Sequence, residues 1–162
     1  MTPMTTTTQQ MPAAPVQGAD TVAGRLQAAL VELVDLSLIG KQAHWNLTGP
    51  NFASLHVKLD EMVDEYRAWG DEVAERMLAL GVPADGRAAT VTESSPAAGF
   101  REGLIADTEV LEWFASNLRE TAGRFREHIA GVSDNDPISE DLLIGIVQGI
   151  EMQQWMIRSQ IG

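Results

Sequence analysis

The sequence predicts an all-α fold, a four-helix bundle in which one long connection joins the second and third helices. Apolar residues recur at alternating three- and four-residue steps along four long segments. Gly49 with Pro50, Gly81 with Pro83, and Gly131 with Pro137 punctuate them. No alternating strand pattern and no internal repeat appears. With 162 residues, 44% of them apolar and 21% charged, the chain can bury one real core and is neither collagen-like nor wholly disordered.

Residues 1–19 hold five threonines, three prolines, three glutamines and no Lys or Arg, too little apolar surface to offset the entropy of ordering. They are expected to form a flexible tail, with one bundle domain over 20–162. Val22, Leu26, Ala29, Leu33, Leu36 and Gly40 mark one face of a first helix over about 20–47, and Gly49 and Pro50 stop it. Leu55, Leu59, Met62, Tyr66, Trp69, Val73 and Leu80 give a second helix over about 51–80, which Gly81 and Pro83 end. Residues 82–100, rich in Gly, Pro, Ser, Thr and Ala, form the long connection, with a short helical turn near Asp85. A third helix follows over about 101–130, with Leu104, Leu111, Phe114, Leu118 and Phe125 inward and Gly131 past its end. Asp136 before Pro137 is an N-cap and first-turn pair for a last helix to about 160, with Leu142, Ile146, Ile150 and Trp155 on its core face. Two tight turns and a long middle link are the connectivity of ferritin-like bundles.

The chain has no cysteine, which removes disulfides, thiolate zinc sites and iron–sulfur clusters and leaves His, Asp and Glu as metal ligands. Its 23 acids against 11 bases give a net charge of −12, a surface that repels phosphate and attracts cations. No apolar run is long enough to span a membrane, and no basic leader is seen, so the expected location is cytoplasmic.

His44 and His56 lie close in sequence, and Asp60, Asp71 and Glu75 follow. At about 100° per residue, His56, Asp60, Asp71 and Glu75 fall on one stripe of the second helix, beside its core face. Asp60 and Asp71 are nevertheless roughly 16 Å apart along the axis, and metal–ligand bonds are only about 2 Å long. One helix cannot close such a site. Two copies packed antiparallel about a two-fold axis bring the His56/Asp60 end of one to the Asp71/Glu75 end of the other, and His44, one tight turn away, joins the first end. The plain reading of each residue stands beside this one: an acid stripe is commonly a solvated face, and His44 also suits a satisfied core or turn position.

His44, Trp45, Asn46, Gly49, Pro50, Asn51, Phe52, His56, Asp60, Asp71, Ala74, Glu75 and Arg76 together resemble the signature of the Dps family, the mini-ferritins that protect DNA in starved cells. The resemblance in helix layout runs from about 20 to 160. It implies a dodecameric shell, a homo-oligomer built from two-fold dimers, in which His44, His56 and Asp60 of one chain and Asp71 and Glu75 of its mate bind iron (Fe2+/Fe3+). It also implies ferroxidase activity, with hydrogen peroxide or dioxygen as oxidant and ferric mineral stored in the cavity. Trp45, beside His44, is implied as a one-electron donor, against the simpler role of a packing anchor. No His has a Glu three residues before it, so the site within the bundle of the large ferritins is absent.

Asp64 and Arg67 lie on the same stripe between the half-sites and are expected at the two-fold interface. The acids Asp134, Asp136, Glu140 and Asp141 suit helix capping and the helix dipole, and the resemblance puts this region around a cation-attracting three-fold pore. His128 is expected on the surface near the end of the third helix. DNA binding is doubtful, because the first basic residue is Arg25 and Arg158 stands alone near the end, leaving only a small patch around Arg119, Arg124 and Arg126. A DNA-compacting structural protein and a metal-dependent hydrolase using the same site are the alternatives to an iron-oxidising, iron-storing protein.

Overall fold

The computed structural model describes residues 21–161, so the tail expected over 1–19 lies outside the described residues. Four long helices, α1 (Val22–Asn46), α2 (Phe52–Ala79), α4 (Asp107–Val132) and α5 (Pro137–Arg158), form the bundle, and a short α3 (Ala88–Ser94) lies within the connection from α2 to α4. The starts of α1 and α5 follow from capping chemistry. Thr21 accepts a hydrogen bond from the Gly24 N–H at 3.0 Å, and Asp136 accepts one from the Ile138 N–H at 3.3 Å with Pro137 next in line.

The core is built from the expected faces: Leu26, Leu33, Leu36, Leu55, Leu59, Met62, Tyr66, Phe114, Leu118, Phe125, Ile146 and Ile150 are all buried. The long connection is pinned to α1, where the Gln27 side chain donates to the Asp85 carbonyl at 2.8 Å and accepts from the Asp85 N–H at 2.9 Å. Asp85 also accepts from Arg87 and Thr90 just ahead of α3, and the Arg87 hydrogen bond foremost holds its carboxyl far below the usual carboxylate range.

Several expectations are corrected. A pair of two-residue parallel strands exists where none was expected: β1 (Leu47–Thr48) pairs with β2 (Ile105–Ala106). That pairing holds residues 105–106 extended, so the third long helix starts at Asp107 and not near 101, and Leu104 is 69% exposed. The same helix runs through Gly131, which acts as a point of close approach for Arg25: a Cβ there would lie 2.7 Å from the Arg25 Nε. On α5, Ile157 takes the core position one heptad after Ile150, and Trp155 is turned outward and 54% exposed. Leu143 is fully buried where Leu142 is only half-buried, and Leu80, at the cap of α2, is exposed. His128 is half-buried against Phe125, and burial pushes its pKa down.

Polar groups also enter the bundle. Glu32 is fully buried on α1 and receives a two-pronged contact from Arg124 of α4, which reaches it at 2.7 Å and 3.1 Å. This is a fork-shaped guanidinium satisfying a carboxylate that burial would otherwise penalise heavily.

Candidate metal centre

The five residues between α1 and α2 determine where both histidines stand. Gly49 adopts φ 127°, a region open to glycine, and a Cβ there would lie 2.5 Å from the Asp107 Oδ1. Asp107, itself buried at the head of α4, accepts the Asn51 N–H at 2.8 Å, and the Thr48 hydroxyl donates to the Ile105 carbonyl at 3.1 Å. The turn is thereby tied to β2 on one side and to the head of α4 on the other.

Within this frame His44 and His56 stack with ring centres 3.6 Å apart and planes 19° from parallel. The Nδ1 of His44 lies 2.8 Å from the His56 carbonyl, and the Nδ1 of His56 lies 2.9 Å from the His44 carbonyl. A carbonyl can only accept, so in each neutral ring Nδ1 carries the proton and Nε2 keeps its lone pair. That tautomer is the one a ring must have to bind a metal through Nε2. Phe52 stacks on His56 at 4.9 Å, fixing the ring from its own helix.

Asp60 is one helical turn beyond His56, and Lys41 of α1 donates to it and forms its ion pair. The Lys41 hydrogen bond, followed by the Lys41 charge and the nearby histidines, keeps the Asp60 carboxyl below its ordinary value despite partial burial. A cation already faces this carboxylate. Asp71 and Glu75 occupy the far part of the same stripe, both exposed and with no hydrogen bond or ion pair inside the described chain. Among the described residues no three His, Asp or Glu side chains of one chain converge to hold a metal ion. The structure thus brings His44 and His56 together, with Asp60 beside them, and leaves Asp71 and Glu75 apart. Trp45 is 68% exposed at the end of α1, next to His44.

Sequence reasoning did not single out Lys41 or Asp107. Lys41 had a signal, since it is three residues before His44 and so on the same helix face. Asp107 could have been found as an acid opening an apolar helical run. The acidic turn is also more engaged than expected: Arg76 grips both Asp136 oxygens at 2.8 Å and bonds Ser139 at 3.0 Å, tying the end of α2 to the start of α5. Burial raises the Asp136 pKa, but the Ser139 and Arg76 hydrogen bonds outweigh it and hold the group below its ordinary value. Of the three arginines in the candidate basic patch, Arg124 is taken by Glu32 and Arg126 by Glu151. No helix among the described residues is long and apolar enough to cross a membrane.

Residues 23–162 match the ferritin-like domain family. The chain is 36% identical to the fine tangled pili major subunit of Haemophilus ducreyi, over 86% of its own length and 74% of that protein. It is 32% identical to DNA protection during starvation protein 2 of Deinococcus radiodurans over 92% of its own length, and spans 62% of that protein's. Its structure superposes on a crystal structure of a Dps protein from Deinococcus radiodurans with a TM-score of 0.84 at 33% identity, covering 85% of this chain and 84% of the other. With the fold, the helix order and the matched length in agreement, the chain belongs to the ferritin-like family and, within it, to the Dps mini-ferritins.

Proposed function

We propose that this protein oxidises Fe(II) at a site shared by two chains, with hydrogen peroxide as the preferred oxidant, and stores the ferric product inside a shell of twelve subunits. The observation that carries this reading is the stacked His44/His56 pair, with both Nδ1 atoms bonded to carbonyls, beside the Asp60 carboxylate. Imidazole nitrogen and carboxylate oxygen suit Fe(II), and carboxylates stabilise the more highly charged Fe(III) product. Asp71 and Glu75 of the partner subunit complete the ligand set across the two-fold axis.

Ferrous iron is the substrate and replaces Lys41 as the cation facing Asp60. Peroxide accepts one electron from each of two ferrous ions, its O–O bond breaks, and the oxygens leave as water after taking up protons. Dioxygen serves as the slower oxidant, and Trp45, exposed beside His44, supplies an electron when only one ferrous ion is present. The relatives named DNA protection during starvation proteins add that role to this reading, and removing Fe(II) and peroxide together protects DNA without any need to touch it.

The test is a titration of metal-free protein with Fe(II) and peroxide, followed by near-ultraviolet absorbance and by sieving. Rapid oxidation with iron co-eluting as soluble mineral in a particle of about twelve chains is expected. Oxidation no faster than in buffer, or precipitation of all the iron, overturns the reading.

A further inference from the structure

The charged stripe of α2 has the same spacing from either end. His56, Asp60, Asp64, Arg67, Asp71 and Glu75 are separated by steps of 4, 4, 3, 4 and 4 residues, a palindrome centred between Glu65 and Tyr66. If two copies of α2 lie antiparallel with a two-fold axis through that centre, each residue faces its mirror position. His56 then faces the partner's Glu75, and Asp60 faces the partner's Asp71. The second of these pairings is repulsive until a cation enters. The innermost pairing is attractive by itself, because Asp64 faces the partner's Arg67, and symmetry makes it twice.

We propose that Asp64 and Arg67 form two reciprocal ion pairs between chains, and that these set the register of α2 against its copy and align the half-sites before metal arrives. This rests on the shared-site reading above and adds the device that aligns it. Asp64 and Arg67 are both exposed, and within the described chain neither makes an ion pair or hydrogen bond. Most other cations are engaged: Lys41, Lys58, Arg76, Arg87, Arg101, Arg124 and Arg126 all have carboxylate partners. With 23 acids in the chain, a free Arg67 does not reflect a shortage of carboxylates.

The surface beside it has the make-up of an interface. An apolar groove of about 260 Å³, floored by Leu30, Leu33, Tyr66 and Gly70, opens between α1 and α2 with Arg67 and Asp71 on its rim. Apolar centres with charged rims are the usual anatomy of protein contacts. A second copy of this chain is the occupant, since its own stripe presents the complementary charges.

Wrong registers are penalised. Sliding one helix by three residues sets Arg67 against its own copy in one direction and Asp64 against its own copy in the other. A four-residue slide one way sets Asp64 against the partner's Asp71. The opposite slide offers Arg67 the partner's Asp60, a carboxylate that Lys41 already holds. Specificity here comes as much from repulsion in the alternatives as from attraction in the intended pairing.

The test uses two full-length variants, Asp64→Lys and Arg67→Glu, each checked for native helicity by circular dichroism. Alone, each sets like charges across the axis twice, and dissociation of metal-free dimers on dilution should rise about ten-fold. Co-expressed, the two variants restore both attractive pairs in the heterodimer, so native mass spectrometry should find heterodimers well above the random one-half. Combining both substitutions in one chain should also recover dimerisation. Wild-type dissociation by both single variants, or random pairing in the mixture, overturns the proposal. A parallel co-expression of His56→Ala with Glu75→Ala separates this failure from that of the shared site: mixed dimers should regain some cobalt(II) binding, since one of the two sites at their interface carries both lesions and the other keeps every ligand. Recovery there with random pairing above rejects the ion pairs alone, whereas no recovery in proven mixed dimers rejects the shared site and the ion pairs with it.

Discussion

Two main-chain carbonyls decide what the histidines can do. By accepting the Nδ1 protons of His44 and His56 they free both Nε2 lone pairs, the tautomer that the proposed metal site requires. We expect His44→Ala or Asp60→Ala to slow peroxide-driven iron oxidation severely while leaving the helical content unchanged, because each removes a proposed ligand outside the main core. Unchanged initial rates in both variants would remove the proposed site. His128 presents the opposite case, a histidine whose surroundings disfavour charge. Burial lowers its pKa; Glu32 and Glu127 push it upward, and Arg25 and Arg124 reinforce the fall. Between that lowered value and the unfolded value of about 6.5 the unfolded chain binds more protons, so stability rises with pH there. The contribution is full above about 6.5 and is lost as pH falls through the window. Thermal melts of His128→Leu should show a flatter slope on the acid side of that value than the wild type, and identical slopes would show that this ring does not govern it.

The elements were legible where periodicity rules and obscure where chain segments meet. Leu26, Leu33, Leu59, Tyr66, Phe114 and Ile150 read as core from spacing alone, because a helix repeats its buried face with a fixed period. Leu104 and Trp155 misled for a shared reason: each continues an apolar pattern past the point where tertiary contacts redirect the face, through β2 in one case and the Ile157 anchor in the other. The candidate site was legible as a stripe, but the cation on Asp60 and the buried Asp107 belong to contacts between helices, which spacing along one helix does not encode. Asp107 gives the element-scale prediction. Replacing it with Ala leaves the Asn51 N–H without its acceptor, at a cost of about 1–3 kcal/mol, and loosens the turn that sets His44 against His56. A lower melting temperature together with weaker cobalt(II) binding is expected. Equal loss of stability with unaltered metal affinity would show that the turn does not need α4 to position the rings.

At the scale of the whole molecule, charge decides between two ways of protecting DNA, by coating it or by removing what damages it. Residues 1–24 contain Asp20 but no Lys or Arg, and each chain carries a net charge of −12. The proposed shell of twelve such chains would meet a phosphate backbone with like charge. Binding by counterion release needs several cation–phosphate contacts, each adding about 0.9 to the slope of the logarithmic salt dependence. The arginines that could have grouped on α4 are spent elsewhere, Arg124 on the buried Glu32 and Arg126 on Glu151, and of that patch only Arg119 remains exposed with no carboxylate partner in the described chain. Multivalency can amplify weak contacts, but in the proposed shell twelve repeats of a repulsive surface would amplify repulsion in the same way. The intact particle should therefore give little or no mobility shift of duplex DNA at neutral pH and roughly 0.15 M salt in a chelator-containing buffer. Divalent cations, by bridging exposed carboxylates to phosphates, are the condition under which a shift should appear. A tight, steeply salt-dependent complex formed in chelator would reverse the order of the two roles and make compaction the primary one.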